Sequence, residues 1–398
     1  MRPRLISLTL MFLSVSLVTF SQEQVDSRSG GFNIGFNNYG ISFGNSPVHN
    51  GLRFNWSDDG IEQINGINFT IWKPANELSG SVNGIALGIV SPAADEISGI
   101  ALGGLAVLGR NSLTGISFGS LAVVSSGTAT GVTVGGLAAI GKDGLSGINV
   151  GGLACVSDGA VGGLSLATAA IVAKSGLWGF NAAGLAVVSQ GPVTGFNFGG
   201  LATVGMEGIS GFNFGGMALV TQGTATGFNV GGLAVVAKDR ISGINLSGLA
   251  LVASEGTVGM VNIAGLAVVG LEGVRGFTVA GAGIVSRKGI VGLNFTLGDL
   301  RNEGPGIGGS IKGISFAGYR IKSNEISGIN LSLITVQAHN ATGLISGVYN
   351  RVTGTQIGVS VGIFNHATEL FGLQIGILNW AENNPEYLRI LPILNLHL

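Results

Sequence analysis

A glycine returns every sixteen residues through the middle of this chain, at Gly99, Gly115, Gly131, Gly147, Gly163, Gly179, Gly195, Gly211, Gly227 and Gly243. One extra residue follows. The beat resumes at Gly276 and Gly292, and a looser version runs through Gly313, Gly328, Gly343, Gly358 and Gly372. A fixed period of this kind means one small supersecondary unit copied many times, and no copy buries its apolar surface alone. The constraint bears on architecture. No comparable signal speaks for catalysis.

Each unit is read from its lead glycine as place 1. Place 2 is large and apolar, as in Ile116, Ile148, Phe196 and Phe212. Place 3 is small or polar, as in Ser117, Thr133, Asn149, Asn197 and Asn213, and place 4 is apolar again. Two glycines often follow, then Leu-Ala-x-Val, as at 201–204. Alternation over places 1 to 4 is a strand signature, and the frequent glycine and β-branched residues exclude long helices. The connecting stretches alternate between two kinds. One is Thr221-Gln-Gly-Thr-Ala-Thr226, and the other, more charged, is Ala237-Lys-Asp-Arg-Ile-Ser242. The true period is therefore thirty-two.

Composition narrows the setting. Of the 398 residues, 46% are hydrophobic and 10% charged, against roughly 25% charged in an ordinary soluble domain. Net charge is −1, which gives no polyanion-binding surface and no nucleic-acid partner. Residues 1–21 read as a secretory signal: Arg2 and Arg4, an apolar stretch, then cleavage before Gln22. The sequence implies export to the outer membrane or cell surface.

The mature chain, 22–398, reads as one continuous all-β domain. Residues 22–83 form a less regular β segment, 84–298 the regular repeats, 299–312 a loop, and 313–398 C-terminal repeats with a terminal strand. Asp58-Asp59-Gly60, between apolar runs at 52–56 and 61–71, reads as a hairpin turn. Two closures fit. The main expectation is an antiparallel outer-membrane β-barrel of roughly 18–20 strands, with lipid as partner and one kind of turn at each end. The alternative is a β-solenoid with sixteen residues per coil, a surface scaffold for adhesion or interaction. There the paired glycines make a corner, the large residues of both arms point inward, and Asn at place 3 stacks as a ladder, as do Asn350, Asn365, Asn379 and Asn395.

Gly372-Leu-Gln-Ile-Gly-Ile-Leu-Asn379 and Leu391-Pro-Ile-Leu-Asn-Leu-His-Leu398 resemble the bacterial surface-repeat family named for leptospiral envelope proteins, whose units look like Gly-x-Gln-Ile-Gly-x-x-Asn. Gly358-Val-Ser-Val-Gly-Ile-Phe-Asn365 is a second copy. The resemblance covers about 340–398 and implies a cell-envelope location, with no activity to carry over.

No residues are assigned to catalysis, cofactor or metal, and the chain is expected not to be an enzyme. The glycine run at 304–309 matches a dinucleotide motif but lacks a βαβ setting. Residues 136–142 resemble a phosphate loop, but Asp143 stands where Ser or Thr is needed. His49, His339, His366 and His397 share no metal-ligand spacing. His366 and Glu369 read as a solvated pair in a turn, and Asp95-Glu96 and Lys238-Asp239-Arg240 as turn charges. Asn68, Asn294 and Asn340 sit in chance glycosylation patterns, and Cys155, the single cysteine, reads as a small core residue.

Overall fold

A computed structural model describes residues 31–302 and 309–398. The signal expected at 1–21 lies outside these residues, as does 303–308, most of the glycine run. The described chain is almost wholly strand, with one short 3-10 turn at Glu386–Leu388. Each unit hydrogen-bonds to the next in parallel and in register, so that Gly195 faces Gly211, Phe196 faces Phe212 and Asn197 faces Asn213. The short strand Ala202–Gly205 pairs with Ala218–Thr221 in the same way. The chain is a β-solenoid of about 20 turns.

The barrel expectation is therefore overturned. A membrane barrel of this kind pairs successive strands antiparallel. Here an eight-residue strand, a bend, a four-residue strand and a second bend return the chain to its starting azimuth, so neighbours in sequence stack as parallel copies. Both kinds of turn consequently fall on one edge. Charge on that edge occurs on consecutive coils as well, where it pairs, as Lys174 does with Asp158 and Lys288 with Glu272.

The coil at 147–162 gives the cross-section. Asn149, Gly151, Cys155, Ser157 and Val161 point inward and are buried, whereas Ile148, Val150, Leu153 and Val156 point outward. The expectation that the large residues of both arms fill a solenoid interior holds at place 9, where Val187, Leu219 and Leu251 are buried, and is corrected at places 2, 4 and 7. Phe196, Phe198 and Leu201 are outside, and Asn197 and Thr203 are inside. Space decides the matter. A Cβ on the inward Gly199 or Gly215 would overlap the carbonyl of Ala202 or Ala218. From 88 to 332 place 5 is held by Gly, Ala, Ser or Thr, with Ala183 and Ala264 buried there, so the interior beside it has no room for a ring.

The looser ends follow the same plan. Val48–Asn55, Gln63–Thr70 and Ser81–Gly88 stack in parallel with Gly51, Gly66 and Gly84 aligned. Asp58-Asp59-Gly60 is thus no hairpin, because the strands it joins run parallel. Within the segment expected as a loop, Asp299–Asn302 is a strand paired to Gly283–Ser286. Antiparallel partners close both ends: Gly31–Phe36 on Tyr39–Gly44, and Ile390–His397 on Phe364–Ala381.

The lead glycines make the corner within each long strand. Gly147 has φ 105°, and a Cβ there would overlap the carbonyl oxygen of Gly131 in the coil before. Gly144, three residues earlier, has no such φ, and its nearest neighbour to an added Cβ is the Ala160 oxygen at 3.5 Å. Gly147→Ala is expected to lose roughly 3 kcal/mol of stability, combining left-handed strain with steric overlap. Gly144→Ala should change stability by less than about 1 kcal/mol. Urea unfolding of the two variants checks this, and equal losses would refute the corner argument.

Candidate functional surface

Two polar devices are buried inside the solenoid. The first is the place-3 column. The side-chain amide of Asn181 donates to Asn197 at 2.9 Å, Asn197 to Asn213 at 3.0 Å, Asn213 to Asn229 at 3.1 Å, and Asn229 to Asn245 at 2.9 Å. A buried amide is costly unless paired, and each of these finds its partner in an identical residue one coil away. Asn350, Asn365 and Asn379 form a second ladder, at 2.8 and 2.7 Å, as expected from the sequence. Asn395 differs: its amide donates to the Asn379 backbone carbonyl, because the last strand turns antiparallel. Asn213→Ala removes an acceptor from Asn197 and a donor from Asn229, and is expected to cost roughly 2–4 kcal/mol. Asn213→Thr should cost less than half as much, since Thr133 and Thr278 occupy the same column. Thermal denaturation of both variants decides the order.

The second device lies near the N-terminal end and was not legible in the sequence. Arg53 and Asp58 are fully buried, with Nη1 donating to Asp58 Oδ1 at 3.0 Å. Asn55, Asn68 and Thr70 also donate to that oxygen, at 2.8, 2.8 and 2.7 Å. The Ala93 N–H donates to Oδ2 at 3.1 Å. Burial lowers the Arg53 pKa, and Asp58 opposes that shift through its charge and hydrogen bond. Asp58 therefore ties three coils together instead of turning a hairpin. Its neighbour Asp59 accepts from the N–H groups of Ala75 and Asn76, both at 2.9 Å. Asp58→Ala should cost about 3–5 kcal/mol, because it leaves a buried guanidinium unpaired. The double variant with Arg53→Met should recover much of that loss. Denaturant titration of the two chains tests the coupling, and additive losses would argue against it.

The histidines are separated, and among the described residues no group of His, Cys, Asp and Glu could hold a metal. His49 is buried and Nε2 donates to the Gly40 carbonyl at 2.9 Å. His339 meets Thr353, and His397 meets Asn384. His366 and Glu369 do not form the expected turn pair. Both lie on the strand Phe364–Ala381; His366 meets Glu382 at 2.8 Å, and Glu369 accepts from Thr355 at 2.8 Å. Asp95 and Glu96 are likewise on a strand, Ala93–Gly103, with Asp95 accepting from Asn111. Lys238 and Asp239 do occupy a turn, and Lys238 pairs with Glu255 at 3.5 Å. The stretch 136–142 is bend and strand with no helix behind it. Asn68 and Asn294 are buried, and Asn340 accepts from the Thr355 N–H. Cys155 is buried in the core, and burial pushes its thiol up to about 11.

The outward surface is where the repeat presents something unusual. Phe180, Phe196, Phe212 and Phe228 stack up one side at place 2, with Phe196 and Phe212 parallel at 4.7 Å. Phe198 and Phe214 stack beside them at 4.8 Å. Phe196 and Phe212 are each 53% exposed. The two columns enclose a shallow apolar groove of about 490 Å³. The Leu column at place 7, including Leu153, Leu185 and Leu201, is also exposed. Charge is gathered on the turn edge, in pairs such as Lys174 with Asp158 and Lys288 with Glu272. No described helix is long and apolar enough to cross a membrane.

No family profile matches this chain, and neither a curated protein nor a solved structure shows significant similarity to it.

Proposed function

We propose that this chain is a non-enzymatic, exported scaffold of a bacterial cell envelope, working through its long lateral surface. The observation that carries the reading is the exposed apolar side of the solenoid, built from the same outward residues coil after coil. Isolated exposed apolar residues need no explanation, but a contiguous patch of this kind marks a surface that meets something. The titratable groups on the turn edge stand singly or as exposed pairs, which suits a solvated border better than a reaction centre. Export rests on the signal-like residues 1–21, and the envelope setting on the resemblance at 372–379.

A repeated surface loses binding by degrees. Deleting residues 195–226 removes two whole coils and rejoins Thr194 to Gly227 in register. The shortened chain should keep its β circular dichroism and melt cooperatively, since each coil touches only its neighbours. Its binding to a bacterial envelope fraction in a sedimentation assay should weaken only a few-fold. Abolished binding in a folded deletion would mean one local site, and a full-length chain that binds no envelope preparation would equally end the scaffold reading.

A further inference from the structure

The bend at Gly152 and Leu153 directs the inner sides of both arms into one interior, where Asn149 and Cys155 are both buried. The outer sides therefore diverge, and the Leu column stands on a convex ridge between two apolar sides. From the coil led by Gly84 to that led by Gly276, no charge occurs at places 2, 4, 7, 8 or 10. At ordinary strand spacings this stretch is roughly 60 Å long and each arm about 13 Å wide, so the two sides present on the order of 1,500 Å². The largest apolar patch of a typical monomer is about 300–600 Å².

Shape separates the possible occupants. A rigid second copy laid on one arm would bury about 800 Å² per partner, a standard interface. It would leave the ridge and the other arm in water. A fluid apolar phase covers both arms and the ridge together. Charge points the same way. The place-10 column runs from Val269 and Val285 into Arg301, Lys322, Gln337, Arg351 and His366. Lys322 and Arg351 are exposed and border an open polar cleft of about 340 Å³. Tyr319, with Arg320 over its ring, and Tyr349, stacked on Phe364, stand at the same end. Basic stems and tyrosines at the rim of an apolar belt match the boundary between acyl chains and headgroups.

We propose that the solenoid lies in the face of an anionic lipid layer, its convex ridge over 84–286 seated among acyl chains and Lys322 and Arg351 against headgroup phosphates. The proposal builds on the scaffold reading by naming its partner. The full chain should float with vesicles of phosphatidylcholine alone, and bind about thirtyfold more tightly when phosphatidylglycerol is added, from two basic residues at about 1 kcal/mol each near the surface. Lys322→Gln with Arg351→Gln should remove that increment and leave binding to neutral vesicles. Phe196→Lys with Phe212→Lys should weaken binding to both kinds tenfold or more, whereas Ser210→Lys with Thr226→Lys, on the third side, should not. A second readout does not depend on the folding of the lysine variants. An environment-sensitive dye on Leu201→Cys, in a Cys155→Ser chain, should shift to the blue with vesicles, and the same dye on Ser210→Cys should not. A chain that floats with neither kind of vesicle overturns the proposal, as does a stable dimer whose Leu201 dye ignores lipid. Binding to the envelope fraction without binding to vesicles would end this proposal alone and leave the scaffold reading standing.

Discussion

Everything in this fold depends on the close passage of one glycine over the next. At every lead corner but that of Met260 a glycine takes a left-handed φ, and a Cβ there would strike the carbonyl of the lead residue beneath it. That contact fixes the azimuth of every coil, and the azimuth fixes what stacks on what. Once Gly195 lies on Gly179 and under Gly211, asparagine must meet asparagine inside and phenylalanine must meet phenylalanine outside. Backbone pairing alone would not choose this register, because parallel strands offer similar hydrogen bonds at any offset by two residues.

The buried polar groups reinforce that choice. An asparagine ladder is satisfied only when each amide faces its own kind, so a slipped coil would strand a donor and an acceptor in a dry interior. The Arg53 and Asp58 pair acts more locally. It joins the first coils of the stack, where fewer neighbours hold the chain, and binds Asn55, Asn68, Thr70 and the Ala93 N–H to one carboxylate. Two aliphatic columns supply most of the rest of the core, one through Leu145, Val161 and Leu177 and the other through Ile171, Val187 and Leu219.

The period, the strand content and both asparagine ladders were legible in the chain, because Gly, Asn and β-branched residues at fixed spacing leave few other meanings. The direction of Phe196 was not. Alternation tells which residues share a side, but not which side is inside, and apolar residues ordinarily go inward. Here the rule holds at place 9, where Ile171 and Leu219 are buried, and fails at places 2 and 4. The two kinds of turn misled because a thirty-two-residue period looks like two sheet ends, whereas the parallel stacking of successive coils puts every such turn on one edge. Asp58 was unreadable because Asp-Asp-Gly is good turn chemistry, and only the parallel pairing of Val48–Asn55 with Gln63–Thr70 turns the carboxylate inward. The basic column of Lys322 and Arg351 could have been found by aligning units on Gly313, Gly328 and Gly343.

One coil departs from the rest. Between Gly243 and Gly276 the extra residue shifts the lead place to Met260, which holds a φ of 72° that glycine would adopt at no cost. The register survives on both sides, with Asn245 over Asn262 and Val261 over Phe277. A stack whose coils couple only to their neighbours is as cohesive as its poorest junction. We expect the rod to behave as two cooperative blocks joined at this seam, with amide exchange in the coils beside Met260 faster than in the coils around Gly195. Under tension along its axis, such a rod would part there before it frayed at either tip.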